Sequence, residues 1–530
     1  MDKNLTLIIK ANQDFVRHTG DDKKINAPLL NSLYESISNV YVPLLRMVER
    51  LEADNIPCRF GLVLPPVLCN LLSDEEIQNN YLEYLGNRLE LGKKELQRNA
   101  DSEDIIKLIN NEIEEIDCLR LDFENKYKKN LIPVFADFMR KGYIELLGTT
   151  GTELYMPHYV DLKEVISAQI ECGLHAYRQC FGTVPEGFWL SDFGYTPGID
   201  KIIRAYGYTY TILDARSVLL AETMPSSGIF YPSRTDNSLV IFARDKSTDY
   251  ELFNDDGFVL NPVYRNQNRD IGYDLPLDEL SPMLSEDNIR YSTGFKYWNR
   301  NYDDDTQNIY IPEEAKEQAK KDAKAFIIKR IDILNRASEL LPNNSFVTNV
   351  FTLDAKKTFG KWYETIDWLE AIFRYAKEYN LTVNTCDKQC SEQYSLEKIS
   401  PYYSSGFGAG YGENLLSSKN CWMMRYIHKA CERMIDLSDR FSNDTGLKTR
   451  LLNLGAKELM LAQSSNLSKM INHSEFPEYA EIRFKDSINA FTAVFDSLGS
   501  NTVSTEWLTT LEAKDSVFPW MNYRIFSKKR

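Results

Sequence analysis

Two acidic residues at the ends of apolar runs are the side chains of this sequence best equipped for chemistry. Asp192 follows Phe188, Trp189 and Leu190 in GFWLSDFGYTPG (187–198), and Asp354 closes the run FVTNVFTLDA (346–355). A carboxylate at the C-terminal end of a barrel strand faces the loops of the barrel mouth, where catalytic groups of βα-barrels gather. Two of them in one cleft can break a glycosidic bond. One attacks the sugar or activates water, and the other, kept protonated by its surroundings, donates to the leaving oxygen. Asn12, after LTLIIKA (5–11), and Glu153, just past IELLGTTG (144–151), stand at equivalent strand ends. An ordinary strand followed by a helix-capping aspartate accounts for Asp192 equally well on these residues alone. No P-loop, GxSxG elbow, HExxH or dinucleotide-binding glycine fingerprint favours another chemistry.

These residues converge only if the strands that carry them are parallel neighbours. LTLIIKA, the helical run NSLYESISNVYVPLLRMVERLEAD (31–54) and CRFGLVL (58–64) set a strand–helix–strand rhythm that predicts parallel pairing. Further strands are expected at IELLGTTG, at 187–190, and at YTYTILDA (208–215), SLVIFARD (238–245), FVTNVFTLDA and LTVNTC (381–386). Residues 73–140 are charged and helical in period, and read as helices outside the barrel with solvated faces and no chemistry. The rhythm breaks over 246–310, a segment rich in Asp, Asn, Tyr and Gly. An excursion of that length reads as a lid or a substrate wall. A long helix follows (313–341), and beyond Gly412 the pattern is almost wholly helical, which predicts a second, all-α domain.

A net charge of −15 argues against nucleic acid or an anionic membrane as partner. The 31 Tyr and 26 Phe suit sugar stacking and a large core alike. The N-terminal apolar run is too short for a secretory signal, and no stretch is long enough to span a bilayer. Nine cysteines, an odd number, read as free thiols of a cytoplasmic protein. Only Cys386 and Cys390 lie close together, without a histidine nearby, so no metal site is expected. The oligomeric state is open.

The sequence resembles glycoside hydrolase family 57, and in particular its α-1,4-glucan branching enzymes, over nearly its whole length. GFWLSDFGYTPG is similar to the family's W-L-x-E-C-G-Y-x-P-G, with Asp192 at the glutamate nucleophile. FTLDAKKTFGKWYETIDWLE is similar to F-D-A-E-L-F-G-H-W-W-Y-E-G-P-E-W-L-E, with Asp354 at the acid/base aspartate. GYIELLGTTGTELYMP resembles G-R-L-E-L-x-x-x-A-T-H-G-Y-L-P. NPVYRNQNRDIGYDLP, STGFKYW, SSGFGAGYGENLLSSKNCW, AQSS, YAEIRFK and FPWMNYRIF resemble further pieces of the branching-enzyme branch. The resemblance implies an α/β fold, an incomplete (β/α)7 barrel over about 1–400 with helical insertions, and a C-terminal all-α domain over 401–530. It implies α-1,4 cleavage of an α-glucan or other carbohydrate, followed by transfer to a 6-hydroxyl or release to water, with no cofactor. Asp192 would be nucleophile or general base and Asp354 general acid/base. Lys10, Asn12, Glu153, Trp189, Tyr195, Arg244 and Trp362 are the candidate substrate-binding residues, although Trp189 also fits a barrel core, and Trp362 and Tyr363 fit helix packing. Arg244 and Asp270 either bind sugar hydroxyls or bridge loops. His158, after Pro157, is a further polar candidate near the mouth.

The departures from the family cluster at the chemistry. Lys10 and Asn12 replace two histidines, while Arg17 and His18 remain; Glu153 replaces a third histidine, and Asp192 a glutamate. Lys356 replaces a glutamate, and a further histidine column falls on Gly360 or Lys361. Gly406 and Leu415 take the places of two tryptophans, and Asn466 and Leu467 those of an aspartate and a tryptophan. Asp192 is one methylene short, and a misplacement of about 1 Å can lower a rate ~100-fold. The same shortening widens a retaining pair of about 5–5.5 Å towards the spacing that admits a water, which would invert the anomeric centre. Lys10 and Glu153 could form an ion pair in place of the lost histidines, and fewer indoles imply weaker binding of a long glucan. Two rivals to a branching-type enzyme follow: an inactive homologue that binds glycan or regulates, and an enzyme retuned to a different, smaller or charged sugar.

Overall fold

The computed structural model describes residues 1–16, 23–283, 289–301, 308–391, 395–406, 408–500, 502 and 504–528. Arg17 and His18 lie outside the described residues. Seven parallel strands build the wall of a barrel: β1 (Asp2–Lys10), β2 (Phe60–Val63), β3 (Ile144–Leu146), β4 (Gly187–Phe188), β5 (Tyr210–Asp214), β6 (Val240–Arg244) and β7 (Phe346–Asp354). Their order is β3-β2-β1-β7-β6-β5-β4. A parallel bridge between Gly148 and Phe188 joins the two ends, with Trp189 N donating to Gly148 O at 2.7 Å.

The barrel is incomplete, as the sequence implies. β6 and β7 share one register pair, Arg244 with Val350. On its other edge β1 holds β2 only at Ile8–Lys10, and the expected eighth strand, Thr382–Val383, takes the lower part of that edge at Asn4 and Leu5. The strand expected at 187–190 is ladder only at Gly187 and Phe188, because the chain turns into a 3-10 turn at Ser191–Phe193. Ile8, Val63, Leu147, Trp189, Tyr210, Ile212, Phe242 and Val350 pack in one cluster contributed by the strands and their ends. One buried polar residue of β1 is met from outside the barrel: Gln389 Nε2 donates to Thr6 Oγ1 at 2.7 Å.

Helices fill most of 73–140 and begin earlier than the expected bound, at Pro66, but their charged faces are not all solvated. Arg88, on the helix Glu75–Arg98, is 3% exposed and pairs with Glu112 Oε1 at 2.5 Å. Tyr297 of the 246–310 excursion donates to Glu95 Oε2 at 2.8 Å, and Arg265 Nη1 lies 3.5 Å from Glu112. The insertion is therefore a buttress for the excursion, which corrects the reading of it as a set of solvated faces. Asp270, fully buried, accepts bonds from the backbone N–H groups of Gly272, Thr293 and Gly294 at 2.8–2.9 Å. Of its two readings, the structure shows loop bridging.

C-terminal to the barrel lie the helices Trp422–Arg440, Leu447–Ala462, Ser465–His473, Pro477–Ser500 and Thr505–Lys514. Many of their buried residues, among them Leu452, Leu459 and Phe491, belong to the same core as the helices around the barrel, while Leu451, Leu454, Val494 and Leu508 form a small cluster of their own. No described helix is long and apolar enough to cross a membrane. All nine cysteines are free thiols.

Candidate active site

β1 and β7 end side by side, with Lys10 in register with Asp354. Asp354, half-buried, caps the helix Ala355–Lys361 by accepting from Lys357 N at 2.9 Å. Asp192 lies in the turn that follows β4, with φ at 53° and Phe193 at 51°. Left-handed backbone at a residue with a side chain costs about 1–2 kcal/mol, so this turn is held by its surroundings. Gly406 N donates to Asp192 O at 2.6 Å. A Cβ on Gly406 would come within 2.6 Å of the Phe193 ring, which explains why no side chain stands where the family has an indole.

The ion pair between Lys10 and Glu153 is present, at 2.5 Å and almost wholly buried. Burial acts against the Lys10 ammonium, but the carboxylates of Glu153, Asp354 and Asp192 outweigh it and hold the lysine above its ordinary value. Glu153 itself has φ at 55°. Asn466, from the helix Ser465–His473, donates to Glu153 Oε2 at 2.9 Å and to Asn12 Oδ1 at 2.7 Å. Lys469, one turn further along, pairs with Asp192 Oδ1 at 2.8 Å. The site is thus drawn from barrel strand ends and from the C-terminal helices together.

Asp14 is a third acid at this mouth, and sequence reasoning passed over it. Burial, to which Glu153 adds, pushes it up to about 6 against a bond from Ser464 Oγ at 2.7 Å. A carboxyl raised in the folded state binds its proton more tightly there than in the unfolded chain, so stability falls as pH rises between its ordinary value and about 6. Asp14→Asn is therefore expected to gain stability over the wild type at neutral pH and to lose that advantage below the ordinary aspartate range. Urea unfolding midpoints at the two pH values check this.

The cleft between these elements has a volume of about 950 Å³. Lys10, Asn12, Trp189, Asp192, Arg244 and Asp354 all line it, joined by Asp14, Arg265, Tyr363, Asn466 and Lys469. Trp189 serves both the barrel cluster and the cleft wall, and its buried Nε1 makes no hydrogen bond. Arg244 faces the cleft, yet its guanidinium is held by Asp214 at 3.0 Å, Asp249 at 3.3 Å and Gly406 O at 2.8 Å. Glu153 sits behind the wall, reaching the cleft through Lys10 and Asn466.

Two expected binding residues are placed elsewhere. Trp362 is fully buried between Tyr264 and Trp368, so it is a core residue rather than a sugar platform. Its neighbour Tyr363 reaches the cleft instead, with the Arg265 guanidinium 3.3 Å from its ring centroid. Tyr195 is buried and locked by backbone bonds to Ser404 rather than lining the cleft. His158 packs edge-on against Tyr155, and burial, with His428 nearby, pushes it down to about 4. Leu415 is likewise buried in the interior. Lys469 escaped the sequence reading, although it lies four residues past AQSS, a motif that pointed to its helix. Among the described residues no group of His, Cys, Asp and Glu is arranged to hold a metal ion.

Comparison with known proteins bears on this cleft. The profile of glycosyl hydrolase family 57 matches residues 6–402, and that of the 1,4-alpha-glucan branching enzyme C-terminal region matches 426–526. A 1,4-alpha-glucan branching enzyme of Thermococcus kodakarensis is 23% identical over 487 residues, covering 85% of this chain and 68% of the relative. The crystal structure of the alpha-amylase AmyC from Thermotoga maritima is similar with a TM-score of 0.91 and 26% identity, each chain being covered in full. A family 57 branching enzyme from Pyrococcus horikoshii shares the fold at a TM-score of 0.88 and 21% identity, over 99% of this chain and 97% of that one.

Proposed function

The chain belongs to glycosyl hydrolase family 57, and from that premise we propose that it cleaves α-1,4 bonds of a glucan, using Asp192 and Asp354, and passes the freed segment to a 6-hydroxyl or to water. The observation that carries this reading is that both carboxylates, from different strand ends, line one cleft large enough for several sugars. In this reading Asp354 gives its proton to the glycosidic oxygen as the bond to the anomeric carbon breaks. Asp192 either forms a bond to that carbon or takes a proton from the water that does. Where Asp192 has bonded to the sugar, the incoming hydroxyl attacks the anomeric carbon and displaces it; in either route the hydroxyl's proton returns to the carboxylate pair, so the site is restored.

Amylose is the test substrate. Loss of iodine colour without matching reducing ends is expected for branching, and loss with matching reducing ends for hydrolysis. No change at high protein concentration, relative to Asp192→Ala and Asp354→Ala, would remove the α-glucan reading. The anomeric configuration of the first product, followed by NMR, separates retention from inversion.

A second reading, a glycan-binding protein without turnover, is favoured by one observation: Asp192 is engaged by Lys469 and Asp354 caps its own helix. Binding of maltooligosaccharide with no product over long incubation would select it.

A further inference from the structure

We propose that Lys469 is a positioning residue for Asp192: the ammonium fixes one carboxylate oxygen so that the other is the reacting atom. The proposal rests on the reading of Asp192 as the attacking or base carboxylate. Oδ1 of Asp192 is committed to Lys469 Nζ at 2.8 Å. Among the described residues Oδ2 has only the Ser465 hydroxyl, at 3.4 Å, beyond the ordinary O–H···O range of about 2.5–3.0 Å. Oδ2 is therefore the oxygen left for chemistry.

The position of the ammonium is itself determined. Lys469 Nζ also donates to Asn466 Oδ1 at 3.3 Å, and Asn466 is tied to Asn12 and Glu153. Glu153 is held in turn by Lys10, so one continuous chain of polar contacts runs from the end of β1 to Asp192. A shorter acid than the family's glutamate gains most from such a hold, because its reach is fixed by two torsions and a turn with little freedom. The backbone is pinned by Gly406 and the carboxylate by Lys469, leaving the plane of the acid defined at both ends. Free rotation of that plane would misplace Oδ2 by about 1 Å or more, a displacement that lowers rates by roughly 100-fold.

Charged or ionisable groups near Asp192 include Lys469 on the helix Ser465–His473, Lys10 on β1 and Tyr155 on the loop after β3, with Arg244 and Asp354 lining the same cleft. Burial, with Asp192 adding, pushes the Tyr155 phenol up to about 12, so it stays neutral in the working range. Lys469 is the nearer of the two lysines, and its removal changes the charge at Asp192 most.

The test uses Lys469→Met and Lys469→Arg in the full chain, with amylose as substrate. For Lys469→Met, kcat is expected to fall roughly 10–100-fold with KM little changed. Lys469→Arg, which keeps the charge and a donor for Oδ1, is expected to recover part of kcat with KM still little changed. An active wild type whose Lys469→Met variant keeps kcat overturns the proposal. Should that variant fail to fold, Lys469→Gln takes its place with the same two outcomes. A double-mutant cycle on thermal unfolding with Asp192→Asn reads the pair without any activity. No coupling there overturns the pair itself. Coupling in a protein inert on amylose removes the glucan reading instead, and with it any catalytic purpose of the pair.

Discussion

Asp354→Asn is expected to lower turnover of amylose by roughly 10²–10⁴-fold, the usual loss when a positioned general acid is removed. Asp192→Asn should do at least as much, since a neutral amide neither attacks the anomeric carbon nor takes a proton from water. The two losses should not add. Residues that act as one unit in a single step give a double variant hardly worse than the worse single one. Structure is expected to survive both changes, because asparagine keeps an oxygen for the cap at Lys357 N and for the Lys469 contact. Steady-state rates and far-UV circular dichroism on the same preparations check this. Turnover within a few-fold of wild type in both single variants would place the chemistry on other residues, Asp14 first among them because it also lines the cleft.

Lys10→Met is expected to give the largest loss of stability at the site. It strands Glu153 in a buried place, and breaking a buried pair from one side costs about 3–5 kcal/mol. Adding Glu153→Gln should restore much of it, because the amide is neutral and still bonds to Asn466. The lysine is held above its ordinary value of 10.5 by its carboxylate neighbours, against burial. Its contribution is therefore complete below that ordinary value and lost only as pH climbs through the elevated one. The deficit of the Lys10→Met variant should accordingly be flat across neutral pH and narrow only in strong alkali. Urea unfolding of the single and double variants across that range is the measurement. A single variant as stable as wild type would mean that water reaches Glu153.

The barrel was legible because its strands are short apolar runs set between longer segments, and each of the seven overlaps a run that the pattern marked. Their ends were legible for the same reason: Lys10, Asn12, Asp192 and Asp354 do line one cleft. What sequence could not supply was which of two neighbouring aromatics turns outward. Trp362 and Tyr363 are adjacent in one motif, and the packing of Tyr264 and Trp368 alone decides that the indole goes inward. Charge run and solvent exposure also parted company in the helical insertion, where Arg88 and Glu112 are drawn under the excursion by a partner far away in sequence. Lys469 was hidden by distance of another kind. A lysine on an amphipathic helix reads as solvated until the element that approaches it is known.

Asp192 and Ser465 are separated by 273 positions along the chain. Synthesis runs from the N-terminus at about 5–20 residues per second, and domains tend to fold as they emerge. All seven barrel strands have been made by Asp354, so their carboxylates exist for on the order of ten seconds before Lys469 and Asn466 arrive. In that interval Asp192 lacks the Lys469 ammonium and Glu153 lacks its amide partner. The protein on the ribosome thus has the acids of its cleft but not their alignment. If the proposed chemistry holds, competence is deferred to the final stage of translation, and a chain ending short of that helix would carry the barrel strands without the Lys469 and Asn466 contacts.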